Sequence, residues 1–143
     1  MLILAESMPE EYAGVIGEAA RGAVPLHEIE SSLLGMNHME VGQYVTDAWG
    51  LPASFSIPVG YHHCPEQIVH PSEDIEQKAR LLHLSSLYVG LFKQRDPNAR
   101  FSEIEGLVQA YGFGSSIDPC DVAGRLSDGV KSVFPIFDLE IDE

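Results

Sequence analysis

The chain has few basic residues, and it has no long apolar run. Its 143 residues include 8 lysines and arginines against 22 aspartates and glutamates, which gives a formal net charge of −14. Such a surface repels phosphate backbones and anionic headgroups, so we expect no nucleic acid and no membrane as a partner. No segment approaches the roughly 20 apolar residues of a membrane-spanning helix. The composition therefore predicts a soluble protein.

Cysteine is also scarce, since Cys64 and Cys120 are the only two and lie far apart in the sequence. Two distant cysteines do not make a disulfide framework, and a reduced environment is the simpler interpretation. The opening residues Met-Leu-Ile-Leu-Ala are too short for a signal peptide and lack a basic start. We therefore expect a cytoplasmic location, and the length predicts one domain.

Strand signals are sparse, whereas residues that begin and end helices recur along the chain. Asn37 followed by Glu40 has the spacing of a capping box, and Ser102 with Glu105 repeats it. Pro58 lies inside a predicted helix, so we expect a kink or break there. The sequence predicts an all-α fold, a compact bundle of about six to seven helices. Predicted helix starts are Ser7 with Pro9, Pro25, Asn37, Pro52, Ser72, Ser102, and Asp118 with Pro119.

The two ends of the chain are predicted to differ in structure. Residues 1–133 carry the helical pattern and are predicted to form the domain. Its longest helix, from Ser72 to about Gln94, is apolar on most sides, which is typical of a helix covered on several faces. Residues 134–143 are acidic and alternate weakly, so they predict an edge strand or a linker.

The third predicted helix carries a histidine on its apolar face. His38, Val41, Gly42, Val45 and Trp49 have helical spacing and share that face, so His38 is expected to point inward. Gly42 permits close approach by a neighbouring helix or a ligand. From these residues alone, a buried histidine that donates to a backbone carbonyl is favoured over a metal ligand.

A histidine pair follows the fourth predicted helix. On a helix, the adjacent His62 and His63 point about 100° apart, so only one of them is expected to face a given site. Cys64 and Glu66 come next, but their spacing matches no zinc-finger pattern. We favour an accidental grouping over a structural zinc site.

Other polar residues receive ordinary structural interpretations. His27 and His83 are isolated in the sequence, and a satisfied core or groove position is favoured for His83. Acidic pairs such as Glu28 and Glu30 are expected to lie on polar helix faces in contact with solvent.

Taken together, these residues resemble the HDOD domain, the HD-related output domain of bacterial signal transduction. This family is a regulatory branch of the HD metal-dependent phosphohydrolase superfamily, so the resemblance implies an HD-like helical fold over most of residues 1–133. The segments that carry the resemblance are Glu30, Leu34-Gly35-Met36-Asn37-His38, Glu40-Val41-Gly42, Trp49-Gly50-Leu51-Pro52, Tyr61-His62-His63 and Ala79 to Ser86.

Two departures from the family pattern imply a degenerate site. The His-Asp doublet of catalytic relatives precedes the stretch that Met1 begins, and a further metal-binding aspartate falls at Ser86, whose hydroxyl is a poor ligand for a hard ion. The resemblance leaves His38 and one of the histidine pair as inferred metal positions. We therefore expect no cofactor and no metal. Any metal present is expected on His38, His62 and His63. The predicted vestigial ligand site consists of His38, Gly42, His62, His63 and Ser86.

These inferences lead to three functional hypotheses. The favoured one is a non-catalytic regulatory domain that acts through protein–protein contacts and self-associates, as a homodimer. The first alternative is an HD-type metal-dependent phosphohydrolase, for example on a nucleotide second messenger, with Glu30 or Glu66 completing the ligands. The second is a small-ligand sensor that uses the vestigial cleft. The domain is expected to lack the family's N-terminal helices. Its tail is similar to the connection to signalling outputs such as GGDEF domains, which implies linkage to further signalling domains.

Overall fold

The computed structural model describes residues 2–22, 24–91, 97–114 and 116–133, and all the regular structure in these residues is helical. This confirms the predicted all-α class. The described part has one α-helix more than the seven predicted starts, the short N-terminal helix. The α-helices are α1 Leu2–Ser7, α2 Pro9–Ala19, α3 Leu26–Leu34, α4 His38–Ala48, α5 Ala53–Gly60, α6 Glu73–Leu91, α7 Pro97–Ala110 and α8 Pro119–Val133, with a 3-10 helix at Pro65–Gln67.

The contacts divide the chain into two compact units, Met1–His83 and Leu84–Glu143, whose boundary falls within α6. The prediction of one domain over residues 1–133 stays a prediction, and the predicted tail at 134–143 lies outside the described residues. Among the helices that the structure describes, none is long and apolar enough to span a bilayer.

The first unit is built around side chains from α1, α2 and α3. Leu4, Tyr12, Val15 and Ile29 are buried together, and Val41 of α4 packs against them. Burial of this many large side chains supplies the main favourable free energy of the unit. The predicted cap at Ser7 is wrong, because that residue closes α1 and α2 begins two residues later at Pro9.

The connection between α3 and α4 is fixed by local backbone chemistry. Gly35 adopts a left-handed conformation with φ 73°, which ends α3 as glycine readily does. The Asn37 side chain accepts from the backbone N–H of Met39 and Glu40, and the Glu40 carboxylate accepts from the Asn37 N–H. This confirms the predicted capping box, and it places His38 as the first residue of α4.

Helices α4 and α5 pack closely at Gly42. A Cβ atom built on Gly42 would lie 2.9 Å from Cγ1 of Val59, so only glycine fits this approach without movement of a neighbour. Of the predicted kink or break at Pro58, the break is wrong, because α5 continues to Gly60, and the kink stays a prediction. Pro58 lies in the last turn, where the loss of one backbone donor interrupts little of the helix.

The second unit has its own buried cluster, formed by Leu84, Tyr88, Ile104 and Val108. Helix α7 begins at Pro97, a residue well suited to the first helical position, so the predicted start at Ser102 is wrong. The predicted start of α8 is confirmed by its first residue, Pro119.

Coverage of α6 is less complete than its apolar sequence predicts. Leu82 and Val89 are exposed on this helix, whereas Ala79 and Leu84 are buried. The expectation of a helix covered on several faces is therefore met by only part of its surface.

Candidate functional site

Three histidines of the first unit converge where helices begin and end. His38 is the first residue of α4, while His62 and His63 lie in the turn that follows α5. One ligand nitrogen from each ring lies within 4.8 Å of the others. Nε2 of His38 and Nε2 of His63 are 3.2 Å apart. We call these three residues the histidine cluster.

The prediction that His62 and His63 cannot share a site is wrong. It assumed a helix, in which adjacent side chains diverge by about 100°. Because α5 ends at Gly60, the pair lies in a turn, and the two rings have centroids 4.2 Å apart. Both rings also contact His38, at centroid distances of 5.3 and 5.2 Å.

A fourth histidine lies against the histidine cluster. His27, in the first turn of α3, stacks on His63 with ring centroids 5.0 Å apart and planes 13° from parallel. Its interpretation as an isolated residue is therefore wrong in three dimensions. The charge of His83 helps to lower the pKa of both His62 and His63, so that residue is coupled electrostatically to the histidine cluster.

A buried carboxylate holds His38 from behind. Glu30 is fully buried, and its oxygens accept from the Tyr12 hydroxyl at 2.9 Å, from the His38 backbone N–H at 2.9 Å and from the His38 ring Nδ1 at 2.5 Å. Three donors therefore satisfy one carboxylate in the interior, which is what a buried charge requires. The expectation that Glu30 lies in solvent is wrong.

The position of Glu30 on α3 was a missed sequence signal. Leu26, Ile29, Glu30 and Leu33 have the spacing of one helix face, so the glutamate interrupts an apolar stripe. A carboxylate at such a position needs a buried partner, and the donors come from Tyr12 and His38. Neither partner is adjacent in the sequence, which is why the stripe alone did not identify them.

The pKa values of Glu30 and Tyr12 follow from these contacts. Burial alone would raise the pKa of Glu30, but the hydrogen bonds from His38 and Tyr12 outweigh it and hold that pKa below its usual range. Burial, together with the hydrogen bond to Glu30, raises the pKa of Tyr12 to about 12. Glu30 therefore stays ionised and Tyr12 stays protonated at neutral pH.

Hydrogen bonding also fixes the ring tautomers. An ionised carboxylate only accepts, so Nδ1 of His38 carries the proton and Nε2 of the neutral ring keeps its lone pair. The carbonyl of Val59 likewise accepts from Nδ1 of His62 at 2.7 Å, which leaves Nε2 of His62 unprotonated. Two of the three rings thus present a lone pair, the form in which imidazole binds metal.

Burial keeps His62 and His63 neutral. It lowers the pKa of His63 to about 3, with further contributions from the charges of the neighbouring histidines, and it lowers the pKa of His62 in the same way. Protonating one ring would place a positive charge beside the others in a poorly solvated site. The rings of this pair are therefore unprotonated at neutral pH.

The donor set suits a single metal ion that is intermediate between hard and soft, such as Zn²⁺. Three neutral imidazoles are a common ligand set for Zn²⁺, and a carboxylate that accepts from the far nitrogen of a ligand histidine is the usual outer partner. Cys64 lies nearby in the sequence, but burial raises the pKa of its thiol, which disfavours the thiolate that metals bind. His38, His62 and His63 would hold such an ion.

The same donor set does not fit a pair of hard ions. Mg²⁺ and Mn²⁺ favour oxygen ligands, and a two-metal hydrolytic site needs ligands for both ions. Within the described residues, the metal-ligand group contains three histidines and no carboxylate oxygen, since Glu30 contacts the opposite nitrogen of His38.

Gly42 serves the packing of α4 on α5, and Ser86 belongs to the second unit. Their predicted roles in a ligand site stay predictions.

The arrangement is that of a helical domain with a buried carboxylate–histidine pair behind a three-histidine group. Residues 1–65 match the family model of the HDOD domain. This match confirms the resemblance for the segment that contains Glu30 and the histidine cluster. No curated protein and no solved structure matches the chain.

Proposed function

We propose that this protein is a non-catalytic regulatory domain in signal transduction and that it acts by binding other proteins. The observation that carries the proposal is the position of Glu30. Among the residues that the structure describes, it is the one carboxylate that touches the histidine cluster. Its oxygens are engaged with Nδ1 of His38, with the His38 N–H and with Tyr12, so it offers no oxygen to a metal between the rings.

The chemistry of phosphodiester cleavage supports this assignment. Enzymes that cleave phosphodiesters with two metals need ligands that hold both ions about 3.5–4 Å apart, next to the attacking and leaving oxygens. Three neutral imidazoles supply neither the negative charge nor the number of donors for that pair. The donor set that would drive this reaction is therefore incomplete among the described residues.

A structural role accounts for the same contacts. Glu30 of α3 joins Tyr12 of α2 to His38 of α4, and the cluster continues to the turn after α5 through His63. Charge-assisted hydrogen bonds of this kind are stronger than neutral ones and fix the geometry of the groups they join. The network therefore holds four helices in one arrangement, as a rigid binding domain requires.

The surface of the first unit supports a binding role. Large apolar side chains that are more than half exposed include Leu2, Tyr44, Trp49, Phe55 and Val69. Of these, Tyr44 lines an apolar groove together with Ile3 and Met36, and exposed apolar surfaces mark sites of protein contact. The predicted homodimer, the linkage to further signalling domains and the cytoplasmic location stay predictions.

A phosphodiesterase assay tests the non-catalytic assignment. The purified chain would be incubated with Mn²⁺ or Fe²⁺ and with bis(p-nitrophenyl) phosphate or cyclic nucleotides, beside the His38→Ala variant. We expect no difference in rate between the two proteins. His70→Asn serves as the control, because His70 is exposed and its positive φ of 49° suits asparagine. Metal-dependent hydrolysis that is lost in His38→Ala and kept in His70→Asn would overturn the proposal.

A metal-dependent hydrolase is the second candidate, and the spacing of the histidine cluster is the observation that favours it. Three imidazole nitrogens within 4.8 Å can hold a single Zn²⁺ whose fourth ligand is water, and zinc lowers the pKa of that water to about 7. The assay therefore includes Zn²⁺ as a separate condition. Hydrolysis with Zn²⁺ alone would favour this candidate.

A further inference from the structure

An apolar groove of about 570 Å³ lies in the first unit, between the α1–α2 junction and α4. Ile3 and Met8 line one side, and Met36, Val41 and Tyr44 line the other. Methionine side chains are flexible and polarizable, and they are common on surfaces that adapt to bound helices. We call this feature the α1–α4 groove.

Exposed side chains continue the apolar surface beyond the α1–α4 groove. Leu2, next to Ile3 on α1, is 85% exposed, and Tyr44 on α4 is 75% exposed. A small ligand that filled only the groove would leave most of both side chains in water. An occupant long enough to cover both walls would bury them, and tyrosine is among the residues that contribute most to protein interfaces.

The length of α4 sets the size of that occupant. Its 11 residues from His38 to Ala48 extend for about 16 Å at the usual helical rise. A partner helix of about three turns matches this length. Such a helix presents apolar residues at positions i, i+3, i+4 and i+7 to an apolar groove.

The charges around the α1–α4 groove indicate a basic occupant. Glu40 lines the groove, Asp47 lies two turns further along the same face of α4, and Glu6 follows Leu2 by one turn on α1. The three basic residues of unit Met1–His83 pair instead with carboxylates three or four residues away. These residues are Arg21, Lys78 and Arg80. The acidic edge therefore has no counter-charge from them.

We propose that the α1–α4 groove binds a short basic amphipathic helix of a partner protein. Its apolar face would cover Ile3, Met36 and Tyr44, and its lysines or arginines would face Glu40 and Asp47. A second copy of this chain is a poorer fit, because each chain carries a net charge of −14 and would bring another acidic edge. The inference rests on the proposed function, since it names the site and kind of the protein contact.

The test uses a fluorescein-labelled peptide of about 14 residues, made of leucine, alanine and lysine with leucines at helical spacing. A counterpart with glutamate at every lysine position is the matched probe. Fluorescence anisotropy with the full chain is expected to show saturable binding of the lysine peptide, weakened by salt, and at least tenfold weaker binding of the glutamate peptide. Equal affinity for the two peptides would overturn the charge argument.

Paired variants locate the binding surface. Tyr44→Ala is expected to weaken binding of the lysine peptide at least tenfold, whereas Trp49→Ala is expected to leave it unchanged. Trp49 is 76% exposed at the end of the same helix and does not line the groove, so it matches Tyr44 in exposure. A second pair of variants tests the charge argument. It compares the effect of Asp47→Lys on binding of the lysine peptide with that of Glu66→Lys, an exposed control. Equal effects within either pair would mean that the peptide binds by nonspecific surface attraction, which would overturn the proposal.

Light scattering without peptide separates a second copy from a foreign helix. A dimer that Tyr44→Ala converts into a monomer would assign the α1–α4 groove to a second copy and overturn the proposal. Neither a monomer nor a dimer changes the expected result of the phosphodiesterase assay, because Tyr44 lies outside the histidine cluster. Failure of this inference is therefore distinguishable from failure of the proposed function.

Discussion

Glu30 accepts hydrogen bonds from both the backbone N–H and the ring Nδ1 of His38, eight residues away on the next helix. This relationship determines the chemistry of the candidate site. It orients the His38 ring and keeps the Nε2 lone pair toward His63. It also engages a carboxylate that would otherwise be free to bind a metal.

Glu30→Gln is expected to destabilise the protein. Tyr12, the His38 N–H and the His38 ring all donate to Glu30, and an amide nitrogen cannot accept from any of them. One buried donor left unsatisfied costs about 1–3 kcal/mol in the free energy of unfolding. Urea denaturation measures this loss. Glu28→Gln is the control, since Glu28 is exposed on the same helix. Equal midpoints for the two variants would contradict the account.

Stability is expected to fall as the pH drops below about 6.5, the usual pKa of histidine. In the folded protein the pKa of His63 is about 3 and that of His62 is also lowered. At a pH between the folded-state and unfolded-state pKa values, the unfolded chain binds protons that the folded chain does not, so acid favours unfolding.

Urea midpoints in EDTA at about pH 7.5 and about pH 5 measure this dependence. His63→Asn is expected to reduce the difference between the two midpoints, because it removes the group with the lowered pKa. His70→Asn, at an exposed position, is expected to keep the difference. The pH argument is wrong if the two variants respond to acid to the same extent.

Gly42→Ala and Gly17→Ala are expected to have opposite effects on stability. The new Cβ at position 42 meets Val59 at 2.9 Å, whereas nothing lies within 4 Å of one at position 17. Overpacking costs about 1–3 kcal/mol, which exceeds the gain of up to about 1 kcal/mol from replacing glycine in a helix. Thermal unfolding should show a lower Tm for Gly42→Ala and a higher Tm for Gly17→Ala. Two shifts of the same sign would contradict the close packing of α4 on α5.

The features that the sequence predicted correctly are those with local causes. The box at Asn37 and Glu40 spans four residues, and Gly35 with its left-handed φ ends a helix without distant help. Gly42 was also predicted correctly as a point of close approach, because a glycine on an apolar helix face leaves room there for a neighbouring helix.

The wrong predictions concern residues whose state depends on distant partners. Glu30 is buried because Tyr12 and His38 donate to it, and no short-range pattern identifies that pairing. His62 and His63 converge because α5 ends at Gly60, and a helix boundary displaced by a few residues changes where each side chain points. His27 reaches His63 only through the packing of the helices.

Metal titration of the chelator-treated protein tests most directly the central claim that the site cannot build a two-metal centre. We predict at most one Zn²⁺ per chain by calorimetry, abolished in His63→Asn and kept in His70→Asn, and no tightly bound pair of Mn²⁺ ions. Two Mn²⁺ or Fe²⁺ ions per chain, both lost in His38→Ala, would contradict the account and restore a dinuclear hydrolase as the better assignment.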